Sequence, residues 1–169
     1  MLICDTFLNI GYNIDMSPEH KKIKREIQME ISKQPIFKNI DCVQFYIPNL
    51  QDGLKYYCNK LGLKIIWQSD SAIGLGMSEG IAEIVIQNER KAQEIDIKVE
   101  SVIDTIVEIK GAGGEIICGP FDIKIGKCAV VKDPWGNQYV ILDSTKGTFI
   151  TDDEGNIIGQ SSPSIKNVD

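Results

Sequence analysis

The sequence predicts an α+β fold: two consecutive βαβββ units forming one cup-shaped mixed sheet, helices outside, with a further helix before the first unit. Two observations carry this reading. The first is an internal duplication. Val43, Phe45 and Ile47 return as Ile95, Ile97 and Val99, Leu50 and Leu54 as Val102 and Ile106, Gly62 as Gly114, and Ile65 as Ile117, each 52 positions on. The second is the shared texture of the two halves: period-two alternation, then helical spacing, then a glycine stop, then more short strands.

Residues 1–38 read as an extension. Ser17-Pro18-Glu19 supplies an N-cap, a first-turn proline and an acidic first turn. Ile23, Ile27 and Ile31 continue as a thin apolar stripe, so a helix is expected over about 17–33. The domain proper spans 39–146. Its first unit, 39–88, opens with Val43, Phe45 and Ile47 alternating with Cys42, Gln44 and Tyr46. Pro48-Asn49 breaks that strand, and Leu50, Leu54, Tyr57 and Leu61 mark a helix ended by Gly62. Strands over 63–68, 72–77 and 81–87 follow. The second unit, 93–144, repeats the order: a strand through Ile95, Ile97 and Val99, a helix through Val102, Ile106 and Ile109, then strands over 115–118, 126–132 and 137–142. The glycines from Gly111 to Gly114 follow a helix, so they read as its stop and not as a phosphate cradle. Residues 147–169 read as a short hairpin and, from Ser161, an unstructured tail.

Composition narrows the function. The 169 residues carry 18 Lys plus Arg against 24 Asp plus Glu, a net charge of -6. Phosphate contacts need clustered cations, so no nucleic-acid partner is expected. The basic run at 20–25 reads as a solvated helix face. His20 is the only histidine, which removes multi-histidine metal sites. Cys4, Cys42, Cys58, Cys118 and Cys128 form no C-x-x-C pair and are odd in number, which points to reduced thiols. No run approaches the ~18 apolar residues of a membrane span, and no signal-peptide layout is present. A soluble cytoplasmic protein with no membrane partner is expected.

Strand alternation also picks the cleft residues. If Val43, Phe45, Ile47, Ile95, Ile97 and Val99 pack under the helices, then Cys42, Gln44, Tyr46, Glu94, Asp96 and Lys98 face inward. Glu83 and Glu94 are two acids that would raise each other's pKa if close. The plainer alternative puts Glu94 at a solvated strand start and lets Lys98 neutralise Asp96. Tyr46 and Trp135 are placed to stack a flat ligand, whereas Tyr57 shares the helix stripe and belongs to the core.

Several segments resemble a known family: Ile40-Asp41-Cys42-Val43 running into Ile47-Pro48-Asn49-Leu50, Tyr56-Tyr57 with Leu61-Gly62-Leu63, Gly111-Ala112-Gly113-Gly114, and above all Asp133-Pro134-Trp135-Gly136-Asn137 before the last strand. Over 40–144 the chain is similar to the vicinal oxygen chelate superfamily. That superfamily includes glyoxalase I, extradiol dioxygenases, fosfomycin-resistance transferases and bleomycin-resistance binding proteins. The resemblance implies a divalent ion held at four positions in the family's metalloenzymes. Here they fall at Cys42, Glu83, Glu94 and Val140. A thiol, two carboxylates and an isopropyl group suit no common divalent ion, so neither metal nor other cofactor is expected.

The main expectation is metal-independent binding or sequestration of a small molecule in the cup of a homodimer. Cys42, Gln44, Tyr46, Glu83, Glu94, Asp96, Trp135 and Val140 are the candidate ligand-binding residues. An acidic cup favours a cation, as the glycopeptide bound by the bleomycin-resistance proteins is cationic. The competing expectation is a lyase, isomerase or dioxygenase acting on a small oxygenated substrate through Glu83 and Glu94. A third is an assembly partner working through its N-terminal helix and tail.

Overall fold

The computed structural model describes residues 17–23 and 34–163. The chain divides into two compact units, 1–35 and 36–169. In the first, Ser17 opens a helix over 18–23, its hydroxyl accepting from the His20 N–H at 3.3 Å. The remainder of the helix expected over about 17–33 lies outside the described residues.

The second unit carries ten strands: β1 (Phe37–Tyr46), β2 (Lys64–Gln68), β3 (Ala72–Gly76), β4 (Glu83–Gln87), β5 (Glu94–Val99), β6 (Glu115–Asp122), β7 (Lys127–Lys132), β8 (Gln138–Leu142), β9 (Phe149–Thr151) and β10 (Ile157–Gln160). Two helices interrupt them. The first, α1 (Leu50–Leu54), runs on as a π-helical turn over Lys55–Lys60, and the second is α2 (Val102–Gly111). The first eight strands form one mixed sheet in the order β2-β3-β4-β1-β5-β8-β7-β6. Each half of that order holds one βαβββ unit, and the two halves mirror one another. The strand at 115–118 is longer than its sequence signal, reaching Asp122.

The register tests the duplication residue by residue. Where β1 meets β5 antiparallel, Cys42 faces Asp96, Val43 faces Ile95 and Gln44 faces Glu94. A twofold axis through the Val43–Ile95 pair therefore carries Cys42 onto Glu94 and Gln44 onto Asp96, the offset of 52 seen in the sequence. The offset drifts by the last strand. Gln44 faces Val85 on β4, while Asp96 faces Val140 on β8. Val140 is thus the counterpart of Val85, not of Glu83.

Local chemistry explains the helices and their packing. Asn49 caps α1, its side-chain oxygen accepting from the N–H groups of Gln51 at 3.0 Å and Asp52 at 3.3 Å. Gly53 lets α1 lie close on the sheet, since a Cβ there would fall 2.9 Å from Ile86 Cδ1. Under α1 the core is Ile73, Leu75 and Ile86, with Tyr57 packed against it as expected. Under α2 it is Val99, Val102, Ile109, Ala129, Val131 and Ile141. One expectation needs correction: Ile95 does not pack under a helix and stays 46% exposed. α1 lies over β4, and α2 over β6 and β7.

The turn that carries the family resemblance occurs twice. Asp133 accepts from the N–H groups of Trp135 and Asn137, both at 2.9 Å, and from the Asn137 amide at 2.7 Å. Asp152 does the same for Glu154 at 3.1 Å, Asn156 at 2.8 Å and the Asn156 amide at 2.9 Å. Gly136 and Gly155 both sit at positive φ, which the turn requires. D-x-x-G-N is therefore a self-satisfied hairpin turn, and its second copy closes the hairpin of β9 and β10.

Candidate functional site: an acid-floored cup under a C-terminal strap

The inner face of the sheet encloses a cavity of about 740 Å³. Its floor is a row across three central strands: Cys42 on β1, with Glu83 of β4 on one side and Asp96 of β5 on the other. Gln44 and Val85 form the next row, and Lys98 and Leu142 extend the floor towards β8. A β-bulge between Ile40 and Cys42 breaks the alternation, so Asp41 joins the cavity face beside Cys42.

The floor's polar groups are mostly satisfied. Gln44 donates from Nε2 to Asp96 Oδ2 at 2.8 Å and to Glu94 Oε1 at 3.1 Å, and its Oε1 accepts from Arg90 Nη2 at 2.8 Å. The Trp67 indole N–H donates to Glu83 Oε2 at 2.7 Å. Lys98 pairs with Asp41 at 3.6 Å. It does not neutralise Asp96, contrary to the plainer sequence reading. One atom is left over. Asp96 is 6% exposed, and its Oδ1 is the buried side-chain oxygen without a hydrogen-bond partner among the described residues.

These surroundings set the acid strengths. Burial pushes Asp96 up to about 6; the Gln44 amide opposes the rise, and the charges of Glu94 and Asp41 add to it. Burial likewise raises Glu83, against the Trp67 N–H. The Cys42 thiol is driven far above its ordinary range, chiefly by burial and then by the charges of Asp96 and Asp41. Without a cation beside it, it stays a neutral thiol and a poor nucleophile.

The walls are largely apolar. Ala72, Gly74 and Gly76 put only small groups on the inner face of β3, and the Trp67 indole lies flat over Gly74, where a Cβ would fall 2.1 Å from Nε1. Ile66 and Trp67 rise from β2, and Ile123 and Ile125 come from the hairpin between β6 and β7. The last wall is the β9–β10 hairpin, which contributes Thr148, Phe149 and Thr151. It bridges the two edges of the sheet. At one end the Gln68 N–H donates to Gly155 O at 2.8 Å and its side chain to Asn156 Oδ1 at 3.0 Å. At the other, the Gln160 amide donates to the carbonyls of Lys124 and Lys146, both at 2.8 Å. Ser161, read as the start of a free tail, bonds to Thr148.

Of the eight candidate ligand-binding residues, the structure brings Cys42, Gln44, Glu83 and Asp96 together on the cavity. Glu94 is engaged by Gln44 and Arg90 beside it, and Val140 is buried next to Asp96 in register. Neither is among the cavity-lining residues, nor is Tyr46. Trp135 stands in the Asp133 turn at 85% exposure, away from the cup. Sequence reasoning did not single out Arg90 or Phe149. Both reach the site through chain segments whose course no local pattern encodes.

A model of the glyoxalase/bleomycin resistance protein/dioxygenase superfamily matches residues 39–141. The chain belongs to that superfamily. No functionally curated protein sequence matches it significantly. Among solved structures sharing the superfamily's fold, it is similar to methylmalonyl-CoA epimerase from Mycobacterium tuberculosis. The TM-score is 0.56 at 10% identity, over 66% of this chain and 91% of that one. A hypothetical protein from Bacillus halodurans C-125 superposes with TM-score 0.53 at 20% identity, over 62% and 92%. Homoprotocatechuate 2,3-dioxygenase from Brevibacterium fuscum gives 0.50 at 19%, over 68% of this chain and 39% of the larger enzyme. At these identities the likeness is one of fold.

The superfamily's four metal positions do not make a donor set here. Of Cys42, Glu83, Glu94 and Val140, the valine side chain has no lone pair to offer, and the Glu83 carboxylate accepts from the Trp67 indole. Glu94 is committed to Gln44 and Arg90. Among the described residues, no group of three His, Cys, Asp or Glu side chains is arranged to hold a metal ion. None of the helices described is long and apolar enough to cross a membrane.

Proposed function

We propose that this member of the superfamily binds a small molecule with an apolar body in the strapped cup, through its own side chains and without a metal. One observation carries the reading: an apolar-walled cavity floored by Asp96, whose buried Oδ1 has no hydrogen-bond partner among the described residues. A buried acceptor left unpaired costs about 1–3 kcal/mol, and a ligand donor would recover it. Mostly apolar walls with a few convergent polar groups are the common build of small-molecule sites.

The neutral fluorescent dye prodan tests this. It is expected to bind with one-to-one stoichiometry and a blue-shifted emission. Ala72→Phe, which fills the cavity from β3, should weaken binding at least tenfold with unchanged circular dichroism. Thr151→Trp fills the same space from the strap and serves if the first variant folds poorly. Failure of the dye to bind, or equal binding by both filled variants, sinks the reading.

A second reading has an observation of its own. Burial raises Asp96 on the cavity floor to about 6, which suits a general acid or base of a lyase or isomerase. The acid pair is then Glu83 with Asp96, since Glu94 is tied up outside. This reading would displace the first if bound prodan were ejected by a small carbonyl compound whose α-proton the protein exchanges with deuterated solvent, and if Asp96→Asn abolished that exchange.

A further inference from the structure

We infer that the strapped cup is a site for organic ammonium ions with a flat apolar body, the cationic nitrogen held between Asp96 and Glu83 and the body lying against Trp67 and Phe149. The inference rests on the binding reading above and specifies its ligand.

The charge balance of the floor points to a cation. Each basic group near it already has an anionic or carbonyl partner: Lys98 is paired with Asp41 at 3.6 Å, and Arg90 is taken by the Gln44 carbonyl at 2.8 Å and Glu94 at 3.4 Å. Asp96 receives the neutral Gln44 amide and the neutral Cys42 thiol, and Glu83 the neutral Trp67 indole. Neither carboxylate flanking Cys42 has a salt-bridge partner among the described residues; Lys98 only eases the charge on Glu83 from a distance, and Asp96, on the cavity floor, carries a buried Oδ1 with no hydrogen-bond partner among the described residues. A neutral donor would satisfy the hydrogen bond but leave the charge. An ammonium group supplies both, with N–H donors for each acid. Lys124, on the hairpin between β6 and β7, adds one positive charge to the lining, but it belongs to the wall and not to the floor strands. The donor set argues against a metal cation, as shown above.

The strap decides the shape of the rest. Phe149 of β9 meets Trp67 with ring centres 6.0 Å apart and planes inclined at 51°. Trp67 is itself pinned, by Glu83 at its nitrogen and by Gly74 beneath its face. A flat or phenyl-bearing body fits between this aromatic corner and the aliphatic side chains of Val85 and Leu142. Phe149 lies beyond residues 39–141, the part of the chain matched by the family.

Three probes of similar size separate charge from shape: 2-phenylethylammonium, the neutral 2-phenylethanol and the anionic 3-phenylpropanoate. Each competes with prodan for the intact protein at pH 7.5. The ammonium ion is expected to displace the dye at least tenfold more effectively than the alcohol, and the anion least of all. Asp96→Asn should collapse the ammonium preference to within about threefold, and Glu83→Gln should reduce it. Phe149→Ala should weaken ammonium and alcohol alike and leave their ratio unchanged, which a merely structural loss at the floor would not do. Equal displacement by alcohol and ammonium, or a preference that survives both acid substitutions, overturns the inference while dye binding upholds the cup. Absence of dye binding defeats the underlying reading instead.

Discussion

Asp143→Ala is expected to destabilise the fold by about 3–5 kcal/mol, the largest effect of any single polar substitution in the domain. Asp143 follows β8 and is 2% exposed. Its Oδ2 accepts from the Val102 N–H at 2.9 Å, the first residue of α2. Its Oδ1 accepts from the Lys127 N–H at 3.0 Å, the Thr145 N–H at 3.2 Å and the Thr145 hydroxyl at 2.7 Å. One carboxylate thus ties the start of a helix to the starts of β7 and the strap connection. Gly126 makes room for it, since a Cβ there would fall 2.2 Å from Oδ1. Alanine strands the N–H groups of Val102 and Lys127 in the interior, at about 1–3 kcal/mol each. Burial alone would raise the Asp143 pKa, but those donors outweigh it and hold the group below the usual carboxylate range. Its contribution is therefore full at neutral pH and lost as pH falls through the folded value. Urea unfolding should show a lower midpoint at unchanged slope. A loss under about 1 kcal/mol would mean that α2 does not depend on this clamp.

Asp96→Asn is expected to do the opposite: to stabilise the protein at neutral pH while removing its ligand preference. With the folded pKa raised to about 6 from 3.8, the ionised form is the disfavoured one in the native state. The sign follows directly. Below about pH 3 both native and unfolded chains hold the proton and nothing is lost. As pH rises from about 4 to 6 the unfolded chain releases it first, and native stability falls. At pH 7.5 the penalty is full, of the order of 1–3 kcal/mol at 1.36 kcal/mol per unit. Asparagine is neutral and nearly isosteric, and its carbonyl can still accept from Gln44. Melting should therefore show Asp96→Asn above the wild type at pH 7.5, with the gap narrowed to about a third near pH 4.5. Taking the difference between the two proteins cancels the slope contributed by Glu83. A variant less stable at both pH values would show that Asp96 is already paired.

A binding group that weakens the free fold is an ordinary functional signature. It also explains why the site was only partly legible in the sequence. The duplication was legible because alternation, helix stripes and glycine stops are local, and the register at Val43–Ile95 confirms the offset. Cys42, Gln44, Glu83 and Asp96 followed from strand parity or motif position. Parity failed at the bulge before Cys42, which turns Asp41 inward to take Lys98 and so leaves Asp96 without its presumed partner. The offset failed at the last strands, where unequal loops shift it and pair Val85 with Val140. The β9–β10 hairpin was legible as a hairpin, but its course as a strap across the cup and the Asp143 clamp were not. Their partners lie at distances such as the 41 residues between Asp143 and Val102 or the 88 between Asn156 and Gln68. No short-range pattern records such contacts.

The central claim is that Asp96 is an unpaired acid on the floor of a cation-binding cup, and carboxyl-carbon NMR of aspartate-labelled protein measures it directly. The Asp96 resonance, assigned by its loss in Asp96→Asn, should titrate at about 6 in the free protein. In the presence of saturating 2-phenylethylammonium it should fall by at least one unit, because a bound cation favours the ionised form. A resonance titrating near the ordinary value of about 4 with and without the amine would contradict the account.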